Sequence, residues 1–195
     1  FKGSFSGDGS LLAAIGRDNK VRVFRPKENL AEPALTFEAP AAALAVQFSA
    51  SGKHFALACS DQISRVYDPS GKLVHTLEGH NANIRTLAFS ENETLFASGD
   101  DKGEIRVWSL SGAAPMVLRG HTRDVNAMAF FGWCLVSGGD ETLRVWDLAS
   151  GGELRSMRAA EEFVAVMARI GPELMADASF ENIYVWDIAL PRRTR

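Results

Sequence analysis

Four histidines, two cysteines and one pair of adjacent aspartates are the residues of this chain best suited to metal or acid–base chemistry. The histidines, His54, His75, His80 and His121, are too dispersed for a metal-ligand spacing. Asp100 and Asp101 could form a carboxylate pair for proton transfer, yet the run Gly99-Asp-Asp-Lys-Gly103 explains both as hairpin-turn residues. No Gly-x-Ser-x-Gly elbow, phosphate loop or His-Glu-x-x-His motif is present. Cys59 and Cys134 sit in the apolar runs Ala56-Leu-Ala-Cys59 and Trp133-Cys-Leu-Val136, so they read as buried, inert thiols of a reducing compartment. The expectation is a protein without catalytic residues, metal, cofactor or small-molecule substrate.

The elements that must position these residues repeat. Five segments end alike: Val23-Phe24-Arg25, Val66-Tyr67-Asp68, Val107-Trp108-Ser109, Val145-Trp146-Asp147 and Val185-Trp186-Asp187. Their aromatics are spaced by 43, 41, 38 and 40 residues, a period that suits propeller blades of four short strands. The third repeat shows the pattern best. Gly79-His80 precedes a strand over residues 84–89; a second covers 95–99, a third 105–108, and an outer strand 115–119 runs into Gly120-His121. The fourth repeat copies it with 125–130, 135–138 and 143–146. A composition of 46% hydrophobic and 23% charged residues suits a globular domain with a real core. No signal peptide or long apolar span is visible, so no membrane partner is expected.

These residues resemble the WD-repeat family over nearly the whole chain. The resemblance implies an all-β propeller of about five blades, near residues 1–38, 39–78, 79–119, 120–158 and 159–188, within a partial propeller over 1–190 and followed by a basic tail at 191–195. It also implies a structural tetrad of His, Ser or Thr, turn Asp and Trp. The fourth repeat supplies His121, Ser137, Asp140 and Trp146, and the third His80, Ser98, Asp101 and Trp108, with one extra hairpin residue. Such buried polar groups must satisfy one another. Repeats one and two keep Asp18 and Asp61 but carry Phe24 and Tyr67 in place of Trp; Glu38-Ala-Pro replaces Gly-His in the second, and Phe180 replaces the turn Asp in the fifth. Family rings most often have seven blades, and the chain opens on Phe1, so the expectation is a piece of a larger ring.

By the same resemblance, partners dock on the face that carries the turns before third strands and the approaches to first strands. The candidates there are Arg17, Ser60, Asn83, Arg85, Asp100, Asp124 and Asn126, a mixed-charge set that suits a protein partner. A net charge of −3 argues against a broad nucleic-acid surface, leaving RNA contact secondary. Arg17, Lys20, Arg22, Arg25 and Lys27 read as the polar alternation of a strand before they read as a phosphate patch.

Within the family the order of repeats resembles the U3 small nucleolar RNA-associated scaffolds of the small-subunit processome. The similarity runs through Thr36-Phe-Glu38, Val46-Gln-Phe-Ser49, Tyr67-Asp-Pro-Ser-Gly-Lys72 and Asn182-Ile-Tyr-Val-Trp-Asp187. It implies pre-ribosomal RNA processing and a nucleolar or nuclear site. The alternative is a WD adaptor of another pathway, such as a ubiquitin-ligase substrate receptor or a signalling scaffold, in the cytosol or nucleus. Ligase receptors often carry Arg two positions after Trp-Asp, where this chain has Ala149 and Ala189.

Overall fold

A computed structural model describes residues 2–29, 31–158, 166–169, 174–178 and 183–187. They form five antiparallel sheets, and among the described residues there is no helix. The first sheet is β1 (Lys2–Phe5), β2 (Leu12–Ile15), β3 (Lys20–Phe24) and β4 (Leu35–Glu38). The second is β5 (Ala43–Phe48), β6 (Phe55–Cys59), β7 (Ser64–Tyr67) and β8 (Leu73–Leu77). The third is β9 (Ile84–Phe89), β10 (Leu95–Asp100), β11 (Glu104–Ser109) and β12 (Met116–Arg119). The fourth is β13 (Val125–Phe131), β14 (Cys134–Gly139), β15 (Thr142–Asp147) and β16 (Glu153–Arg158). The fifth holds β17 (Val166–Arg169), β18 (Leu174–Ala178) and β19 (Ile183–Asp187).

Each sheet is a meander with strands in chain order, and the first strands neighbour one another in turn, β1 to β5, β9, β13 and β17. The sheets are therefore blades around a common axis, an arc of a β-propeller. Among the described residues no strand pairing closes the arc into a ring. The Phe180 position and the basic tail lie outside the described residues.

The packing between blades is directional. Phe55, Leu57 and Tyr67 in the second blade, Phe96 and Trp108 in the third, and Leu135 and Trp146 in the fourth face the preceding blade. They meet its smaller residues: Ala13, Val21 and Val23 of the first, Ala56, Ala58 and Val66 of the second, Ala88, Ala97 and Val107 of the third; Phe131 and Trp133 of the fourth cluster instead with Met167 of the fifth. This follows from strand alternation, because neighbouring residues point to opposite faces. It also explains why β6 and β14 are buried along their whole length while the outermost β16 is exposed. Both cysteines are buried in these layers.

Three first strands carry a bulge at the same place. Register slips between Ala43 and Ala45, between Ile84 and Thr86, and between Val125 and Ala127, leaving Leu44, Arg85 and Asn126 unpaired. A bulge re-aims the side chain it displaces, so these three residues break the alternation at one end of the arc.

The third and fourth blades approach closely at Gly103, in the hairpin joining β10 to β11. Its φ is +87°, and a Cβ there would fall on the carbonyl oxygen of His121 in the loop leading to the fourth blade. Gly103→Ala should therefore cost more than ~2 kcal/mol in urea melts, combining strain and collision. Gly112→Ala, with φ +96° but open space around it, should cost only ~1 kcal/mol. Equal losses would show that the hairpin does not abut the next blade.

Candidate functional site

The buried polar chemistry is concentrated in blades three and four. In the fourth, Trp146 Nε1 donates to Ser137 Oγ at 2.8 Å, His121 Nε2 lies 2.7 Å from Ser137 Oγ, and His121 Nδ1 lies 2.5 Å from Asp140 Oδ1. Only one proton assignment satisfies every group. The indole N–H donates to the hydroxyl oxygen, the hydroxyl donates to His121 Nε2, and the neutral imidazole donates through Nδ1–H to the carboxylate. Burial holds the His121 imidazole below the usual histidine range, against the opposing pull of Asp140. Burial would raise the Asp140 carboxyl, but hydrogen bonds from Thr142, His121 and the Thr122 N–H outweigh it and hold the group at about 2. Asp140 thus ties the hairpin to the loop before the first strand of its own blade.

Blade three builds the same chain with a different acid. Trp108 Nε1 donates to Ser98 Oγ at 2.9 Å, His80 Nε2 is 2.7 Å from that oxygen, and His80 Nδ1 is 2.9 Å from Asp100 Oδ2. The expected tetrad acid, Asp101, is not the partner. The longer hairpin lets Asp100 Oδ1 accept the N–H groups of Lys102 and Glu104 at 3.0 and 2.9 Å, which turns its other oxygen toward His80. Asp101 instead accepts from Asn83 Nδ2 at 3.1 Å near the surface. Asp100 is 2% exposed, so it also leaves the set of docking candidates.

Glycine before each histidine has a spatial cause. A Cβ at Gly79 would fall on the Arg106 guanidinium, and one at Gly120 would lie 2.9 Å from both Arg144 and Trp146. These arginines belong to a series on the third strands, Arg22, Arg65, Arg106 and Arg144, each two residues before the blade's aromatic. Arg65 pairs with Asp61 at 2.7 Å, Arg22 with Asp18, and Arg106 with Glu104 at 2.7 Å. In blade two the tetrad positions hold Ala39, Leu57, Cys59 and Tyr67, all in one apolar cluster. Desolvation pushes the Cys59 thiol up, away from the reactive thiolate.

His80, Asp100 and Glu104 also bring ligand-type atoms within 4.8 Å of one another. These groups are already engaged: His80 donates through Nδ1–H to Asp100 and accepts at Nε2 from Ser98, while Glu104 pairs with Arg106 and Arg119.

The remaining docking candidates gather at the bulged end. Arg85 and Asp124 form an exposed ion pair at 3.2 Å between blades three and four. Lys2 Nζ donates to the Arg85 carbonyl at 3.2 Å, carrying the set across to blade one. Asn83 and Ser60 are exposed on blades three and two, while Asn126 is half-buried at its bulge. Arg17 lines a cleft with Lys2, Ala42, Ala43 and Leu44. Of the basic cluster, Arg22 pairs with Asp18, Arg25 with Glu28 at 3.7 Å, and Lys27 donates to the Asp8 carbonyl at 3.0 Å. Lys2 and Leu44 escaped the reading of the sequence, since a bulge leaves no mark in a hydrophobic pattern.

A family model described as WD domain, G-beta repeat, matches residues 71–109 and 113–147. The chain is 30% identical to a U3 small nucleolar RNA-associated protein 15 homolog of Xenopus tropicalis over 78% of its length, covering 30% of that protein. It is 24% identical to the transcriptional corepressor LEUNIG_HOMOLOG of Arabidopsis thaliana over 95% of its length, covering 24% of it. It is 35% identical to the apoptotic protease-activating factor 1 of Danio rerio over 94% of its length, covering 15% of it. The chain thus spans less than a third of each of these relatives.

The tetrad geometry sets distinct costs. Trp146→Ala should destabilise by ~3–5 kcal/mol through the cavity it opens, and Asp100→Ala by ~1–3 kcal/mol by stranding buried donors. Asp101→Ala and Glu141→Ala should stay within ~0.5 kcal/mol. Chemical denaturation of the four variants checks this, and a larger loss at Asp101 than at Asp100 would reverse the acid assignment.

Stability should also fall in acid. His121 and Asp140 both sit below their unfolded values, so the unfolded chain takes up each proton first. Their contributions are complete above the ordinary histidine value of 6.5. The histidine part is lost as pH drops below that value, and the carboxylate part between 3.8 and about 2. Thermal melts against pH should show both steps, and Asp140→Asn should start less stable and show a shallower lower step, because Asp100 and other carboxylates are also held below their ordinary values.

Proposed function

Because the chain carries WD repeats of the G-beta type, we propose that it is a non-catalytic scaffold for protein–protein assembly in small-subunit ribosome biogenesis. Its site of action is the nucleolus, where it serves pre-ribosomal RNA processing as part of a multiprotein complex. The observation that carries this reading is the 30% identity to the U3 small nucleolar RNA-associated protein 15 homolog over 78% of the chain. The rigid stack of blades supports it, since such a stack presents loops from several blades as one surface without rearrangement. The docking surface is the bulged end, with Arg17, Ser60, Asn83, Arg85, Asp124 and Asn126. RNA contact is secondary, because the net charge is −3 and several basic side chains are already paired.

A second reading, an adaptor of another pathway, is favoured by the matches that span 94–95% of the chain in a corepressor and an apoptotic factor. Function in such folds lies in the surface and not in the architecture.

Affinity purification of the tagged full-length protein, with mass spectrometry and probing for early pre-ribosomal RNA, separates the two. Processome proteins should be recovered, and Arg85→Glu or Asp124→Arg should reduce their recovery several-fold while leaving melting unchanged, because an exposed pair contributes at most ~1 kcal/mol. Exchanging the two charges rebuilds the ion pair with inverted polarity, so recovery should stay low. Recovery of cullin-ligase subunits from a diffuse cytosolic protein would overturn the nucleolar reading and leave the general adaptor.

A further inference from the structure

We propose that the cleft between blades one and two is a receptor for an acidic segment of a protein partner. The proposal rests on the scaffold reading and names the chemistry that the bulged end selects. The cleft measures about 390 Å³ and is walled by Lys2 and Arg17 over a floor of Gly16, Ala42, Ala43 and Leu44.

The local sequence explains both its shape and its charge. Where blade three places Asn83 to fill its own hairpin by bonding Asp101, blade two places Ala42, whose carbonyl takes the Ser60 N–H but whose side chain fills nothing. Where blade three displaces Arg85 at its bulge, blade two displaces Leu44. The two neighbouring acids are already spent, Asp18 on Arg22 and Asp61 on Arg65. Among the described residues no carboxylate lies within ion-pair distance of Lys2 or Arg17, and the charged group acting on Lys2 is another cation, Arg85. Two unanswered cations around an apolar floor, in a chain of net charge −3, ask for carboxylates carried on an apolar backbone. An RNA strand fits less well, because Asp124 stands beside Arg85 and would repel a phosphate track continuing from Lys2. Asn19 Oδ1, on the cleft's rim, is a buried acceptor without a donor, a second mark of an incomplete surface.

The test uses the full-length protein and a fluorescent hexapeptide of sequence Glu-Leu-Glu-Glu-Leu-Glu, with its Gln counterpart and a uridine oligonucleotide as comparisons. Anisotropy should show binding of the acidic peptide alone, weakened at about 0.3 M salt, where the screening length shrinks. Lys2→Glu with Arg17→Glu should weaken it about tenfold or more, as removal of complementary charge does. Ala42→Leu, which keeps both cations but fills the floor, should also weaken it several-fold. Arg155→Glu, on the exposed outer strand of blade four, should leave it unchanged. Should the reversals impair folding, Lys2→Gln with Arg17→Gln carries the same expectation in milder form. Equal weakening by Arg155→Glu, indifference to Ala42→Leu, or preferential binding of the oligonucleotide overturns the proposal. Processome recovery that persists without peptide binding overturns the cleft and spares the scaffold reading; no recovery by the unaltered protein overturns that reading instead.

Discussion

A buried indole N–H has to find an acceptor, and in blades three and four that acceptor is a serine hydroxyl with a proton of its own to place. The requirement passes from Ser137 to His121 and ends on Asp140, the member that bears the charge while the imidazole stays neutral. Each link fixes the next one's protonation state, so the chain tolerates neither a charged imidazole nor a missing hydroxyl. Because its members come from the loop before the first strand, the second strand, the hairpin and the third strand, one proton sequence locks four parts of a blade. The glycines before the histidines follow from the same crowding, since the guanidinium or indole of the third strand occupies the space a side chain would need.

Blades one and two solve the same packing problem without that chain. With Ala39, Leu57, Cys59 and Tyr67 at the equivalent positions, blade two buries no carboxylate there, and Phe37, Phe55 and Tyr67 pack as an aromatic group. Its turn aspartate is released to the surface, where Arg65 takes it up. The arginine series therefore has two uses. In blade one and blade two it neutralises the turn acid; in blades three and four, where the turn acid is engaged with histidine, it pairs with Glu104 and Glu153, Arg144 also lying 4.0 Å from Asp140. The surface charge of each blade thus depends on what is buried beneath it.

The period, the strand class and the fourth-blade tetrad are readable from residue types alone, because a repeated Val-aromatic ending and Gly-His signal the same burial wherever they occur. Asp100 and Asp101 are not distinguishable that way. They are chemically identical, and the choice between them is made by backbone N–H groups in a hairpin one residue longer than its counterpart. The bulges at Leu44, Arg85 and Asn126 are equally hidden, since a displaced residue in a mixed polar and apolar strand looks like an ordinary alternation. Lys2 gains its place from Arg85, 83 residues away, and no local pattern reports a contact of that range.

The directional packing of blades has a consequence for symmetry. Across the first three junctions large residues look backward and small residues look forward along the arc, so the two faces of a blade fit each other but neither fits itself. Contacts of this kind are heterologous: repeated with a constant rotation they close a ring or run on as a helix. A two-fold pairing of identical faces would set aromatic against aromatic, or alanine against alanine, and pack badly both ways. Leu12 and Phe24, paired on the backward side of blade one, therefore have a defined complement, a face like that of Ala56, Ala58 and Val66. The handedness of assembly is written into the size of side chains, one blade at a time.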